Sequence, residues 1–513
     1  MQTKLRSLWN HNKNLLIFCL ICVAIWAILA HGYAFFNLQP SHDSLDGMHA
    51  VYPNQNALHK VELGRVFYPA YCTVFRTQFY MPYLSGIYTI LWISLAAFLV
   101  ISALNITSSI GKILTCGLMT VNVTVISIAA TYGNDLDANM FALLMACAAF
   151  FLWRKKGMLR NLIAIASIAV SLGLYQSFIC VTVALVIIAL VKDLLGGKSA
   201  ACAFLDGVRA VALLILGGIL YIICMRFILQ LFEISLADGR SNSLTQLSAL
   251  SLDSLPYLSG QAYVNWLQYF TQSKVYLIAA SIIPAIHQIL FLAGFAALIV
   301  ILLAKDTKPL QKALLILLVC LFPLGSNAIY VLSLGSVHDL MQYALIFTYL
   351  LLFILLRHAA KLIRKTQFIR HACCVLVCLI LWGGIQTANT AYHKKALIYQ
   401  ATFAKMTEVV HEMHMEGYDP YVPVLIEGYL PIPRMPGFEQ VSRITGMSID
   451  NAITPDAKSL QSYFQYILGE PITFCTQREK ILIQNDPEYQ EMPPYPTYGY
   501  ARMIQDIMVV RLN

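Results

Sequence analysis

The sequence predicts an all-α polytopic membrane protein of about eleven transmembrane helices, followed by a small extracytoplasmic α/β domain. Three observations predict it. Of 513 residues, 58% are hydrophobic and 12% charged, with a mean hydropathy of +0.67; a soluble domain carries about 25% charged residues. Apolar runs of about 20 residues, enough to cross a bilayer as a helix, recur along most of the chain. From Tyr392 onward charges, Pro and Tyr return, over a stretch the size of a small domain.

Lys4, Arg6 and Lys13 precede the first apolar run (15–36) and place the N-terminus in the cytoplasm. That run is too long for a signal-peptide core and lacks a small-x-small cleavage pattern, so it reads as a retained span. Spans 2 to 4 follow at 82–104, 113–130 and 136–153, the last closing on Arg154, Lys155, Lys156 and Arg160. The run 161–191 is long for one span and short for two, and Tyr175-Gln176 interrupts it; it reads as a re-entrant or short-helix pair turning on the outside. Later spans are expected at 208–232, 276–304, 313–334, 340–356 and 372–391. Every segment that this count puts inside carries Lys or Arg, whereas the short outer turns at 131–135, 175–178 and 335–339 carry none. The membrane domain is therefore 1–391, with a first outer loop at 37–80 and another at 233–275. In the 392–513 domain, 392–415 and 456–468 read as helical, the latter after Thr454-Pro455, and 421–427 and 508–512 as strands.

The net charge of +9 lies in short loops between spans, where it sets membrane orientation; no nucleic-acid partner is implied. Nearly all thirteen cysteines lie in apolar runs, where Cys acts as a small hydrophobe. Only Cys72 and Cys475 fall in outward soluble segments, where pairing is open, and no Cys/His cluster has zinc spacing.

The polar residues gather on one membrane face. Ionisable groups at a bilayer edge are costly unless they line water or a site. Asp43 and Asp46 are three apart, so a helix would put both carboxylates on one face; they read either as a general base with a supporting acid or as a solvated turn. Glu62 and Arg65 read either as a surface ion pair or as an acid beside a phosphate-gripping guanidinium. Tyr132, Asp135 and Asp137 open span 4, where acids also suit the helix dipole. Tyr175 and Gln176 offer a ring and an amide, for each other or for a sugar, and Asn327, His338 and Asp339 lie at outer span ends. His31, His42, His49 and His59 have no metal spacing.

The order of these motifs carries a resemblance. H-D-S-L at 42–45, L-G-R-V-F-Y-P at 63–69, Y-G-x-D at 132–135, S-L-G-x-Y-Q-S at 171–177, P-x-G-S-N at 323–327 and H-D-L-M-x-Y at 338–343, ending on Tyr343, follow one another. The chain resembles the bacterial membrane glucosyltransferases of the serotype-conversion type, family II, over its whole membrane region. The resemblance implies a GT-C-like fold and a bacterial cell membrane. It also implies a polyprenyl-phosphate-linked sugar donor, a surface polysaccharide or wall glycan acceptor, and Asp43 as general base. The second acidic position falls on Asp135 or Asp137. A divalent metal (Mg or Mn) is left open. Two rival readings share the membrane face: a transporter or flippase of lipid-linked oligosaccharides, and a polymerase. A transporter would be expected to show paired discontinuous spans or an internal repeat, and the sequence has neither.

Overall fold

The computed structural model describes residues 2–46, 48, 55–77, 79–237, 250–272, 282–304, 308–363, 366–430, 432, 435–448, 453 and 457–512. Helix α1 (Gln2–Phe36) enters the first outer loop, which is largely helical: α2 (His42–Asp46), α3 (Gln55–Glu62) and α4 (Tyr68–Phe75). Helix α5 (Pro82–Ala103) begins at a proline whose missing N–H is not needed there. The next span is two helices, α6 (Ser109–Thr120) and α7 (Val123–Thr131), divided at Asn122. The Asn122 side chain accepts from the Val125 amide at 3.1 Å and donates to the Leu118 carbonyl, satisfying both sides of the break. This span is the most enclosed of all.

A 3₁₀ turn (Gly133–Asp135) leads into α8 (Leu136–Lys155), then α9 (Met158–Leu174) and α10 (Ile179–Leu195). The long apolar run thus breaks at Tyr175–Phe178, where the sequence placed its interruption. Helices α11 (Ala200–Leu231), α12 (Leu255–Thr271), α13 (Ile282–Leu303), α14 (Pro309–Ser326) and α15 (Ala328–Leu332) follow. After two 3₁₀ turns at Asp339–Met341 and Tyr343–Ile346 come α16 (Phe347–Leu362) and α17 (Thr366–Met415). Among the described residues, ten segments are long and apolar enough to cross a membrane, and α9 is a shorter apolar helix. The chain is a polytopic membrane protein whose α-helices share one apolar core, with α8 packed between α5 and α9.

Among its described residues the tail is a four-stranded sheet with three short α-helices. Its strands are β1 (Pro423–Glu427), β2 (Thr473–Phe474), β3 (Ala501–Ile504) and β4 (Ile507–Arg511), and its helices are α18 (Ala457–Tyr463), α19 (Gln477–Gln484) and α20 (Pro487–Glu491). The strand order is β2-β1-β4-β3, with β1 parallel to both neighbours. Val424 pairs with Met508, and β3–β4 is a hairpin turned by Gln505 and Asp506, both at positive φ. Met406, Val409 and Met413 of α17 fill the core beneath Val424, Met508 and Val510.

Several boundaries differ from the expected ones. Span 9 stops at Ser326 rather than 334, because Asn327 breaks it, and span 10 opens with 3₁₀ turns before α16. The outer loop at 233–275 contains α12, whose Ser/Tyr/Gln-rich sequence hides its helix. The boundary expected at 391/392 lies inside α17, which continues unbroken to Met415. All thirteen cysteines are free, so Cys72 and Cys475 do not pair. His49, Thr454, Pro455 and the expected start of span 8 (276–281) lie outside the described residues.

Candidate functional site

Helix α2 carries Asp43 and Asp46 to the seam between the membrane bundle and the tail. Its entry is fixed by the Ser41 hydroxyl, which donates to the Thr131 carbonyl at the end of α7. Its far side is fixed by Leu45, fully buried in the tail's own core beside Tyr463 and Phe464. Helix α18 packs along α2, and α2 also contacts the 133–135 turn. Asp43 is half-buried there and faces Tyr132. Burial raises the Tyr132 phenol above its usual range, and the nearby Asp43 charge adds to it, so Tyr132 stays a neutral donor. The Asp46 side chain lies outside the described residues. Because Leu45 anchors the helix, Leu45→Ala is expected to cost about 2–5 kcal/mol of local docking. Limited proteolysis of the first outer loop in the intact protein checks this.

Below α2, Asp135 binds two cations. Its Oδ2 accepts from Lys60 Nζ at 2.6 Å and Arg65 Nη1 at 2.8 Å, and its Oδ1 from the Tyr68 hydroxyl at 3.0 Å. Two positive charges meet one carboxylate, a surplus of one. The Arg65 guanidinium also lies over the Tyr175 ring, 4.7 Å from its centroid. Burial works against the Arg65 charge, but Asp135, Tyr175 and Tyr68 together outweigh it and hold the group above its ordinary pKa.

A second pair lies beside the first. Asp137 Oδ2 meets Arg76 Nε at 3.0 Å and accepts from Tyr71 at 2.9 Å, while Oδ1 accepts from Ser85 at 3.3 Å. Arg76 also donates to Asn134 Oδ1 and to the Tyr68 hydroxyl, each at 2.9 Å. The exposures separate the two arginines: 16% for Arg65, against 2% for Arg76 and 0% for Asp137. Arg65 can be reached from outside; Arg76 and Asp137 are sealed.

The turn holding Arg65 is set by α9 and α10. The Phe67 amide donates to the Gly173 carbonyl at 2.9 Å, and a Cβ at Gly173 would run into the Phe67 ring. Gln176 Nε2 donates to the Leu63 carbonyl at 3.1 Å and to the Tyr221 hydroxyl at 3.3 Å, and Tyr221 donates to the Gly64 carbonyl at 2.8 Å. Gln176 therefore positions the Leu63–Arg65 turn, and Tyr175 supports the guanidinium directly.

The remaining sequence-named residues fall elsewhere. Glu62 pairs with His59 at 3.0 Å, so the local Glu62–Arg65 surface pair is replaced by Arg65–Asp135. Asn327 Nδ2 donates to the Ala262 carbonyl and Asn265 Oδ1, both at 3.0 Å, tying α12 to α14. Tyr343 is buried and donates to the Met119 carbonyl at 2.6 Å. His338 is exposed. Asp339 Oδ2 accepts from the Thr445 amide at 2.9 Å and its hydroxyl at 3.1 Å, and Thr445 O accepts from Thr131 Oγ1 at 3.0 Å. Asp339 thus clamps the tail beside the Thr131 carbonyl that holds Ser41. Buried His31 lies between the Tyr392 hydroxyl and the Thr120 carbonyl. Among the described residues, no three His, Cys, Asp or Glu converge to hold a metal ion. At the opposite end of the bundle three bases meet two acids, Asp193 with Arg154 and Lys198, and Asp206 with Lys156 and Lys198.

Lys60, Tyr68, Arg76 and Thr445 were missed in the sequence. Lys60 and Arg76 flank Arg65 in one polar loop, a basic spacing that was readable there. Thr445 has no signal, since its role depends on a contact with Asp339.

No curated protein and no solved structure matches the chain. Residues 32–356, well over half of the sequence, match the family model described as glucosyl transferase GtrII. That stretch runs from the end of α1 to α16 and takes in Asp43, Lys60, Arg65, Asp135, Tyr175 and Asp339. The chain is a membrane glycosyltransferase and belongs to the GtrII glucosyl transferase family.

Proposed function

We propose that the protein moves a hexosyl group, glucosyl by its family, from a polyprenyl-phosphate carrier to a surface polysaccharide or wall glycan. The reaction is placed on the outer face of a bacterial plasma membrane, with the N-terminus cytoplasmic, the tail extracytoplasmic and the membrane part GT-C-like. One observation carries the reading: α2 sets the Asp43 carboxylate beside Tyr132, against the turn where Lys60 and Arg65 leave a positive surplus on Asp135. A base and an anion-binding pair within one outward site are what such a transfer requires.

In this mechanism an acceptor hydroxyl oxygen attacks the anomeric carbon of the bound sugar. Its proton passes to Asp43, and the bond from the anomeric carbon to the phosphate oxygen breaks. The polyprenyl phosphate leaves with the electron pair, and the configuration inverts. Arg65, with Lys60 behind it, stabilises the charge developing on the phosphate. Asp135 keeps both cations charged and aimed, and Tyr175 holds the guanidinium plane.

The test uses purified full-length protein and radiolabelled polyprenyl-phosphate glucose. Acceptor-dependent release of carrier phosphate supports the reading; translocation of the lipid without release would replace it with a flippase. Arg65→Gln is expected to lower kcat/KM for this donor by about 10²-fold, the size of losing one preorganised charge-stabilising donor. Unchanged donor kinetics in that variant would remove Arg65 from the phosphate site.

A further inference from the structure

We infer that the seam between the first outer loop and the tail binds the acceptor glycan, with Phe79 and Tyr466 as its stacking surface. The inference rests on the proposed transfer and names where its second substrate lies. Phe79, between α4 and α5, meets Tyr466 edge-on, with centroids 6.1 Å apart and planes at 77°. Among the described residues neither ring belongs to an apolar core, and Phe79 remains 44% exposed. A pyranose ring has apolar C–H faces and stacks on such rings, and two rings near a right angle fit two successive faces of a bent glycan.

The location connects the pair to Asp43. Tyr80, next to Phe79, lies against Gly133 of the 133–135 turn, which contacts α2 from one side. Tyr466 follows α18, which packs along α2 from the other. Phe79 therefore adjoins, through Tyr80, the turn on one side of the helix carrying Asp43, and Tyr466 follows the helix on its other side. The tail cannot swing off this position freely: Leu45 is in its core, and Thr445 is bonded to Asp339 and Thr131.

The experiment uses full-length protein in lipid nanodiscs. Its probe is the fluorescently labelled surface polysaccharide fraction extracted from cells lacking this gene. Binding is read at equilibrium, without donor. Phe79→Ala and Tyr466→Ala are each expected to weaken binding about tenfold. Tyr466→Phe keeps the ring and is expected to bind as the wild type does. Tyr498→Ala, which removes an exposed tyrosine of the turn before β3, serves as the control and is expected to leave binding unchanged. With donor present, the alanine variants raise the KM for the polysaccharide more than they lower kcat. Wild-type protein that does not bind the fraction, alanine variants that bind like wild type, or an equal loss in Tyr498→Ala would each overturn the inference. If wild-type protein binds the fraction but cleaves no polyprenyl-phosphate glucose, the donor reading fails while the seam is upheld.

Discussion

Asp43→Asn is expected to lower sugar transfer by about 10²–10⁴-fold, the usual contribution of a positioned general base. The amide keeps the size and shape of the carboxylate and cannot take the acceptor proton. Helix α2 is anchored by Ser41 and Leu45, so the variant should still insert and fold. Donor binding should persist, because Arg65, Lys60 and Asp135 are untouched. The measurement is acceptor-dependent release of carrier phosphate under saturating donor, alongside thermal unfolding of the same sample. A stable Asp43→Asn protein with wild-type transfer would move the base elsewhere. An Asp43→Asn protein that unfolds several degrees early would instead make the residue part of the loop's framework.

The second large effect concerns stability. Arg76→Met removes the cation that Asp137 faces, and both lie in the sealed part of the cluster. It also strips a donor from Asn134 and from the Tyr68 hydroxyl. A buried carboxylate left without its partner typically costs about 3–5 kcal/mol. Unfolding of Arg76→Met in detergent should shift accordingly, and the double variant Arg76→Met/Asp137→Leu should recover much of the loss, because no unpaired charge then remains. The contrast with Arg65 is the sharper point. Arg65→Gln should remain folded and lose activity; Arg76→Met should lose the fold. A single variant at Arg76 within about 1 kcal/mol of wild type would show that water reaches Asp137 after all.

Much of this architecture was readable from composition and punctuation. The apolar runs and the Lys/Arg-bearing segments between them mark the spans, and the break at Tyr175 was visible because a ring and an amide interrupt a run too long for one crossing. What could not be read was tertiary. Asp135 and Asp137 are two residues apart and chemically alike. Only the fold gives one to Lys60 and Arg65 and the other to Arg76. Likewise Gln176 looks like a ligand-binding amide, yet its Nε2 holds the Leu63 carbonyl. Asp339 looked like an outer site acid, and its carboxylate is a clamp on Thr445. In each case the residue type fixed the chemistry, and a partner distant in sequence fixed its use. Helix α12 was missed for a different reason: Ser, Gln, Asn and Gly interrupt its apolar residues, so the sequence shows no continuous apolar run.

The unbroken helix α17 has a mechanical consequence. At 1.5 Å per residue its 50 residues span about 75 Å, of which a bilayer core takes about 30 Å. The remainder is a rigid mast, and the tail is mounted on it in a fixed rotational phase relative to the bundle. Each residue inserted or deleted along the mast would turn the tail by about 100° and shift its height by about 1.5 Å. Leu45 would then face the wrong side of the tail, and Thr445 would no longer reach Asp339. Substitutions along this helix leave the phase intact; changes of length do not. The mast acts as a gauge, keeping the tail at one height and one bearing above the membrane.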